Sequence, residues 1–193
     1  MDFDISTCAN IAVPIEIMTA VVMVESNGNP FAIGVVGDSL VRQPRNLVEA
    51  VATVNQLKKN KLNYSVGMAQ VNQVNFKSQG FETLEQGFKP CNNIVAGSNI
   101  LKDCFTRSSG HWGKAFSCYY SGNFTKGYSD GYVARVMSQL STGLTYRLPA
   151  QKDDSQKTFF SKESTPTGYK LSREPHLTND TAQTPLKDPS FIF

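Results

Sequence analysis

The chain has 193 residues, 40% of them hydrophobic and 18% charged, with a net charge of +3. That length supports one domain with a real core. The charge is too slight to argue for a nucleic-acid partner, although a mildly basic surface suits an anionic polymer.

Pro14, Glu16 and Glu25 break the apolar run near the N-terminus, so no membrane span is expected there. The acidic start Met1-Asp2-Phe3-Asp4 does not read as a secretory leader. A leader already removed, another export route and an internal location all stay open.

The first expected helix covers Pro14 to Ser26. Pro14 suits a first helical turn, and Asn27-Gly28 supplies a stop. Apolar residues cover nearly every face, so the helix should be buried, with Glu25 where it opens onto something. Removal from water and the partial negative charge of a helix C-terminus both favour a neutral carboxyl group, the form that a general acid requires. The alternative is a surface Glu that merely closes the helix.

A second helix is expected over Leu47–Lys59, with Asn46 as cap and Glu49 at the capping-box position. A third should begin near Val71 to Asn75. The fourth covers Asn92–Phe105, the fifth Gly113–Tyr120 and the sixth Gly131–Leu140. This density predicts a mostly α domain over residues 1–143. Val-rich pieces such as Ile33–Val36 would form at most one small β-ribbon beside a cleft. Residues 144–193 hold five of the nine prolines and no periodic apolar face, and they read as a low-complexity, mostly disordered tail. In that tail, docking of Phe159, Phe160, Phe191 or Phe193 onto the domain is the lesser expectation.

The four cysteines contain no CxxC pair, which argues against zinc. Cys91 and Cys104 would bracket one helix roughly 20 Å apart by helical rise, too far to bridge. A turn near Ser108-Ser109-Gly110-His111 would fold two helices antiparallel, with Cys104 and Cys118 equidistant from it. Cys104–Cys118 is thus the favoured pair and Cys8–Cys91 the remainder, with free thiols as the alternative. His111 and His176 have no ligand cluster around them, and no metal or organic cofactor is implied.

Three segments join Glu25 as candidates for chemistry. Tyr64–Asn72 offers Gly67, which permits close backbone approach, and Gln70, whose amide both donates and accepts. Ser117–Phe124 runs an aromatic pair, Tyr119-Tyr120, into a turn. Gly131–Val136 contains Tyr132. None of the segments Tyr64–Asn72, Ser117–Phe124 and Tyr132–Val136 carries an acidic residue, whereas a two-carboxylate glycosidase needs its acids about 5 to 9.5 Å apart. Asp38 and Glu49, the next acids after Glu25 along the chain, fall in a long insertion.

Taken in order, Glu25-Ser26 at a helix end, Gly67-Met68-Ala69-Gln70-Val71-Asn72, Cys91 to Gly97, Tyr119-Tyr120-Ser121-Gly122-Asn123 and Gly131-Tyr132-Val133 resemble the lytic transglycosylase (SLT) domain. More narrowly they resemble the branch attached to type IV secretion and conjugation systems. The resemblance covers about residues 5 to 140. It implies a lysozyme-like helical fold whose cleft binds peptidoglycan glycan strands, in the periplasm or cell envelope, beside components of a secretion or conjugation apparatus. It implies cleavage of the β-1,4 bond between N-acetylmuramic acid and N-acetylglucosamine with formation of a 1,6-anhydromuramyl end, which opens the wall locally. Glu25 matches the catalytic acid; Ser26, Gly67, Met68, Ala69, Gln70, Tyr119, Tyr120 and Tyr132 match positions that bind substrate or hold the Glu. A single carboxylate fits a mechanism in which the substrate's own N-acetyl group stabilises the transition state. Two departures are expected to alter sugar contacts. Met68-Ala69 stands where the family often has Leu-Met, and Tyr120 where many members carry Asn. A lysozyme-type hydrolase on this scaffold, and a glycan-binding assembly protein that does not need turnover, are the alternatives.

Overall fold

The computed structural model describes residues 3–146. The expected tail from 147 onward, with His176 and the four tail phenylalanines, lies outside the described residues.

Helix α1 spans Ile15–Ser26. Pro14 caps it from an extended conformation (ψ 140°) rather than occupying its first turn, and its carbonyl accepts the first intrahelical bond, from Met18 N–H at 3.1 Å. The predicted stop is where Asn27 takes the left-handed conformation (φ 52°) and donates to Met23 O. One face of α1 is the core: Met18, Ala20, Val21 and Val22 are buried. All-round burial does not hold, because Ile15 and Met23 are exposed. Helix α2 spans Leu47–Lys59, as the cap signal indicates. Asn46 accepts from Glu49 N–H at 2.9 Å. The reciprocal capping-box bond goes elsewhere, since the Glu49 carboxylate accepts from Arg45 N–H and from the Arg42 guanidinium.

A small antiparallel sheet joins these helices: β1 (Ile33–Val35), β2 (Tyr64–Val66) and β3 (Val71–Asn72), in that order. Ile33 pairs with Val66, and Val66 with Val71. The helix expected to begin near Val71 is therefore a two-residue strand followed by a 3-10 helix at Gln73–Asn75. The cause is Gln70, whose positive φ of 48° turns the chain back along β2 and commits Val71 to the sheet. A further 3-10 helix, Leu84–Phe88, leads into helix α3, Pro90–Arg107. Helices α4 (Trp112–Ser121), α5 (Lys126–Ser129) and α6 (Tyr132–Tyr146) follow. Helix α6 runs past the expected end at Leu140, and α5 had no signal in the sequence.

Helices α3 and α4 form the predicted hairpin. Ser108 Oγ donates at its turn to the carbonyls of Phe105 and His111, and Phe105 stacks on Trp112 with ring centres 4.0 Å apart. Cys104 is bonded to Cys118, and Cys8 to Cys91, tying the N-terminal segment to the start of α3. Two cores result. The larger gathers Met18, Val21, Ile94, Leu101, Phe116 and Val136 from the long helices. The smaller gathers Ile33, Val35, Val54, Leu57, Tyr64, Val66 and Phe88 from the sheet and α2. Phe76 packs against both. Among the described residues, no helix is long and apolar enough to cross a membrane.

Candidate active site

Three contiguous cavities mark the seam between the two cores, and Gln70 lines all of them. The middle one, about 80 Å³, holds Glu25 and Tyr132 beneath Ile33, Val35, Val36 and Leu40. One arm, about 290 Å³, runs past Tyr119 and Tyr120 to an amide-rich wall that includes Asn63, Asn72, Asn75, Gln79 and Asn99. The other arm, about 490 Å³, passes Glu25, Ser26, Asn29, Arg135 and Gln139. Glu25 thus sits where the arms meet.

Glu25 is 7% exposed at the last turn of α1. Tyr132, at the start of α6, donates its hydroxyl to Glu25 Oε1 at 2.8 Å. This link joins residues 107 positions apart, and both groups are buried. Tyr119 donates to the Ala69 carbonyl at 2.6 Å and lies within the field of Glu25. Burial of their hydroxyls, then the negative charge of Glu25, pushes both phenols well above the ordinary tyrosine value of 10.0. Both therefore stay neutral O–H donors throughout the neutral range. Tyr120 stacks on Tyr132 at 4.7 Å between ring centres and donates to Asp130 Oδ2 at 3.2 Å. Burial, then Asp130, raises its phenol as well.

The turn from Gly67 to Gln70, between β2 and β3, underlies the cavities and presents Gln70 to all three. Gly67 needs its positive φ of 77°, and a Cβ there would stand 2.4 Å from Asn93 Nδ2. Gln70 Nε2 donates to the carbonyls of Ala32 (3.1 Å) and Gly67 (2.9 Å), which aims the amide across the turn. A Cβ on Gly34 would lie 2.6 Å from Gln70 Oε1, so any larger residue there would displace this amide. Ser26 Oγ donates to Met68 O at 2.7 Å and ties the end of α1 to the same turn.

The structure thus brings Glu25, Ser26, Gln70, Tyr119, Tyr120 and Tyr132 to the cavity walls. Gly67, Met68 and Ala69 are not among the wall residues. Met68 is 3% exposed and Ala69 fully buried, and a Cβ on Gly97 would stand 2.6 Å from Ala69 Cβ. The Met68-Ala69 pair therefore lies beneath the walls, and a changed sugar contact at Ala69 has no exposed side chain to act through.

Sequence reasoning missed several residues. Asn93, fully buried, accepts from Ala69 N–H at 2.7 Å and donates to Val66 O and Gly87 O, each at 2.8 Å, so it holds the turn beneath the cavities from α3. Its place within the Cys91 to Gly97 stretch of the resemblance was the available signal. Gln43 donates to and accepts from Ile33, pinning the insertion loop to β1 above the Glu25 cavity. Asp38, set aside as part of that insertion, lines the cavity with Glu25, because the positive φ of Gly37 folds the loop back over β1. Glu49 stays on the outer face, bonded to Arg42.

The transglycosylase SLT domain family matches residues 6–137. This chain belongs to that family. The type IV secretion system protein virB1 of Brucella abortus (strain 2308) is 45% identical over 144 residues, covering 68% of this chain and 60% of that protein. That of Brucella suis biovar 1 (strain 1330) matches equally. Protein virB1 of Agrobacterium fabrum (strain C58 / ATCC 33970) is 29% identical over 151 residues, covering 72% of this chain and 59% of that protein. The chain thus spans about 60% of the length of these relatives. No solved structure gives a significant match.

Proposed function

We propose that this SLT-family chain is a peptidoglycan lytic transglycosylase. The observation that carries the reading is a shielded carboxyl group, Glu25, midway along a trough and held by a phenolic donor. A glycan lying in the trough would present a glycosidic oxygen to Glu25. The Glu25 proton passes to that oxygen, the C1–O bond breaks, the C6 hydroxyl oxygen bonds to C1, and the Glu25 carboxylate takes the hydroxyl proton. No water is consumed and the carboxyl group ends as it began. Tyr132, the neutral donor bonded to Glu25, supports the carboxylate in between. The amide-rich arm offers the donors and acceptors that acetamido and hydroxyl groups require.

The relatives carry the name of type IV secretion proteins. We therefore place the activity in the cell envelope, on the periplasmic wall, where it would clear a passage for such an apparatus. A second reading follows from Asp38, the other carboxylate in the Glu25 cavity. There it would take a proton from water, and the water oxygen would bond to C1, giving hydrolysis. Mass spectrometry of digested peptidoglycan separates the two. Anhydromuramyl ends from both the wild type and Asp38→Asn support the transglycosylase; reducing ends that vanish in Asp38→Asn support the hydrolase.

A further inference from the structure

Arg135 lies one turn beyond Tyr132 on α6, a spacing that sets both on one face. Its guanidinium carbon is 5.8 Å from the centre of the Tyr132 ring, within cation–π range. Nη1 donates to the Asp130 carbonyl at 3.3 Å, which fixes one end of the group. Nε and Nη2 are buried with no hydrogen-bond partner. The Asp130 carboxylate is taken by the Tyr120 hydroxyl and by Lys126 at 3.6 Å, and among the described residues no carboxylate pairs with Arg135. Buried donors left in this state call for an explanation. Arg135 also lines the cavity arm that Glu25 and Ser26 share.

We infer that Arg135 is a positioning residue for Glu25: its uncompensated charge over Tyr132 fixes that ring and strengthens its O–H as a donor to Glu25 Oε1. The inference rests on the catalytic role proposed above for Glu25. A carboxylate partner would cancel the field of the guanidinium. With none, the positive charge acts on the phenol through poorly screened surroundings, where such interactions are strongest. It opposes the upward push that burial and Glu25 exert on Tyr132. The donated bond therefore tightens as Glu25 gives up its proton, when negative charge builds on that oxygen. The stack of Tyr120 on Tyr132 limits the ring's other motions.

The test uses the full chain on soluble glycan strands, with kcat and KM measured for Arg135→Met, Arg135→Lys, Tyr132→Phe and the double variant Arg135→Met/Tyr132→Phe. The expected result is a kcat about tenfold lower for Arg135→Met with KM within about twofold, and substantial recovery in Arg135→Lys. In the Tyr132→Phe background, Arg135→Met should change kcat less than about twofold, because the O–H it acts through is gone. Should Arg135→Met fail to fold, Arg135→Gln takes its place. An unchanged kcat, a loss confined to KM, or an equal loss in the Tyr132→Phe background overturns the inference. Glu25→Gln assayed alongside keeps the two claims apart. If it turns over at the wild-type rate, the catalytic reading fails; if its kcat falls about 10²-fold or more while Arg135→Met matches wild type, only this inference fails.

Discussion

Replacing Asn93 with alanine removes one acceptor and two donor bonds from the turn beneath the cleft without touching any cavity wall. Ala69 N–H loses its 2.7 Å acceptor, and the carbonyls of Val66 and Gly87 each lose a 2.8 Å donor. The site is fully buried, so water does not readily replace them. An orphaned buried group costs about 1–3 kcal/mol, with carbonyls at the lower end because each has a second lone pair. The three together predict a loss of about 3–5 kcal/mol, roughly 10 °C in Tm for a domain of this size. Denaturant unfolding and thermal melts of Asn93→Ala measure this directly. Activity measured well below the new Tm should also fall, since the turn sets both Gln70 and the Ala69 carbonyl that holds Tyr119. A Tm within about 2 °C of wild type would refute the reasoning, because three buried bonds cannot be lost at so small a cost.

Tyr132→Phe deletes the 2.8 Å donor to Glu25. If that bond contributes about 1.5–3 kcal/mol in the transition state, steady-state kinetics should show kcat lower by about 10- to 150-fold with KM little changed. Reducing the disulfides should destabilise the fold unequally. On the chain-entropy model, Cys104–Cys118, separated by 14 residues, contributes about 3 kcal/mol and Cys8–Cys91, separated by 83, about 4.5 kcal/mol; single cysteine-pair deletions followed by urea unfolding compare them. Burial pushes the Tyr64 phenol up to about 12 from 10.0. The unfolded chain therefore loses that proton first, so stability is intact below pH 10 and falls as pH rises toward 12. Tyr64→Phe should flatten this alkaline slope in unfolding curves, and an unchanged slope would contradict the assignment.

Much of the helical frame was legible because local chemistry marks it. Asn46 and Lys58-Lys59 delimit α2, Asn27-Gly28 ends α1, and the turn near Gly110 sets Cys104 opposite Cys118. The sheet was less so. Tyr64, Ser65 and Val66 are all buried, so no alternation of polar and apolar residues appears, and β3 is too short to show a period. At the site, Glu25, Gln70, Tyr119 and Tyr132 could be picked out by residue type and order. Asn93, Gly34, Gly97 and Arg135 were not singled out, although Asn93 and Gly97 lie within the Cys91 to Gly97 stretch. The first three act by what they leave room for or bond to across the fold, and Arg135 by a charge that only the packing of α6 leaves without a partner. Asp38 was passed over because distance along the chain says nothing of a loop folded back by Gly37.

The proposed activity depends on one proton donor, Glu25, at the middle cavity. Turnover of purified peptidoglycan by Glu25→Gln, with a melt to show that the variant is folded, tests this dependence most directly. A fall in kcat of about 10²- to 10⁴-fold is expected, the contribution of a positioned general acid. A folded Glu25→Gln protein that releases products at the wild-type rate would contradict the dependence on Glu25.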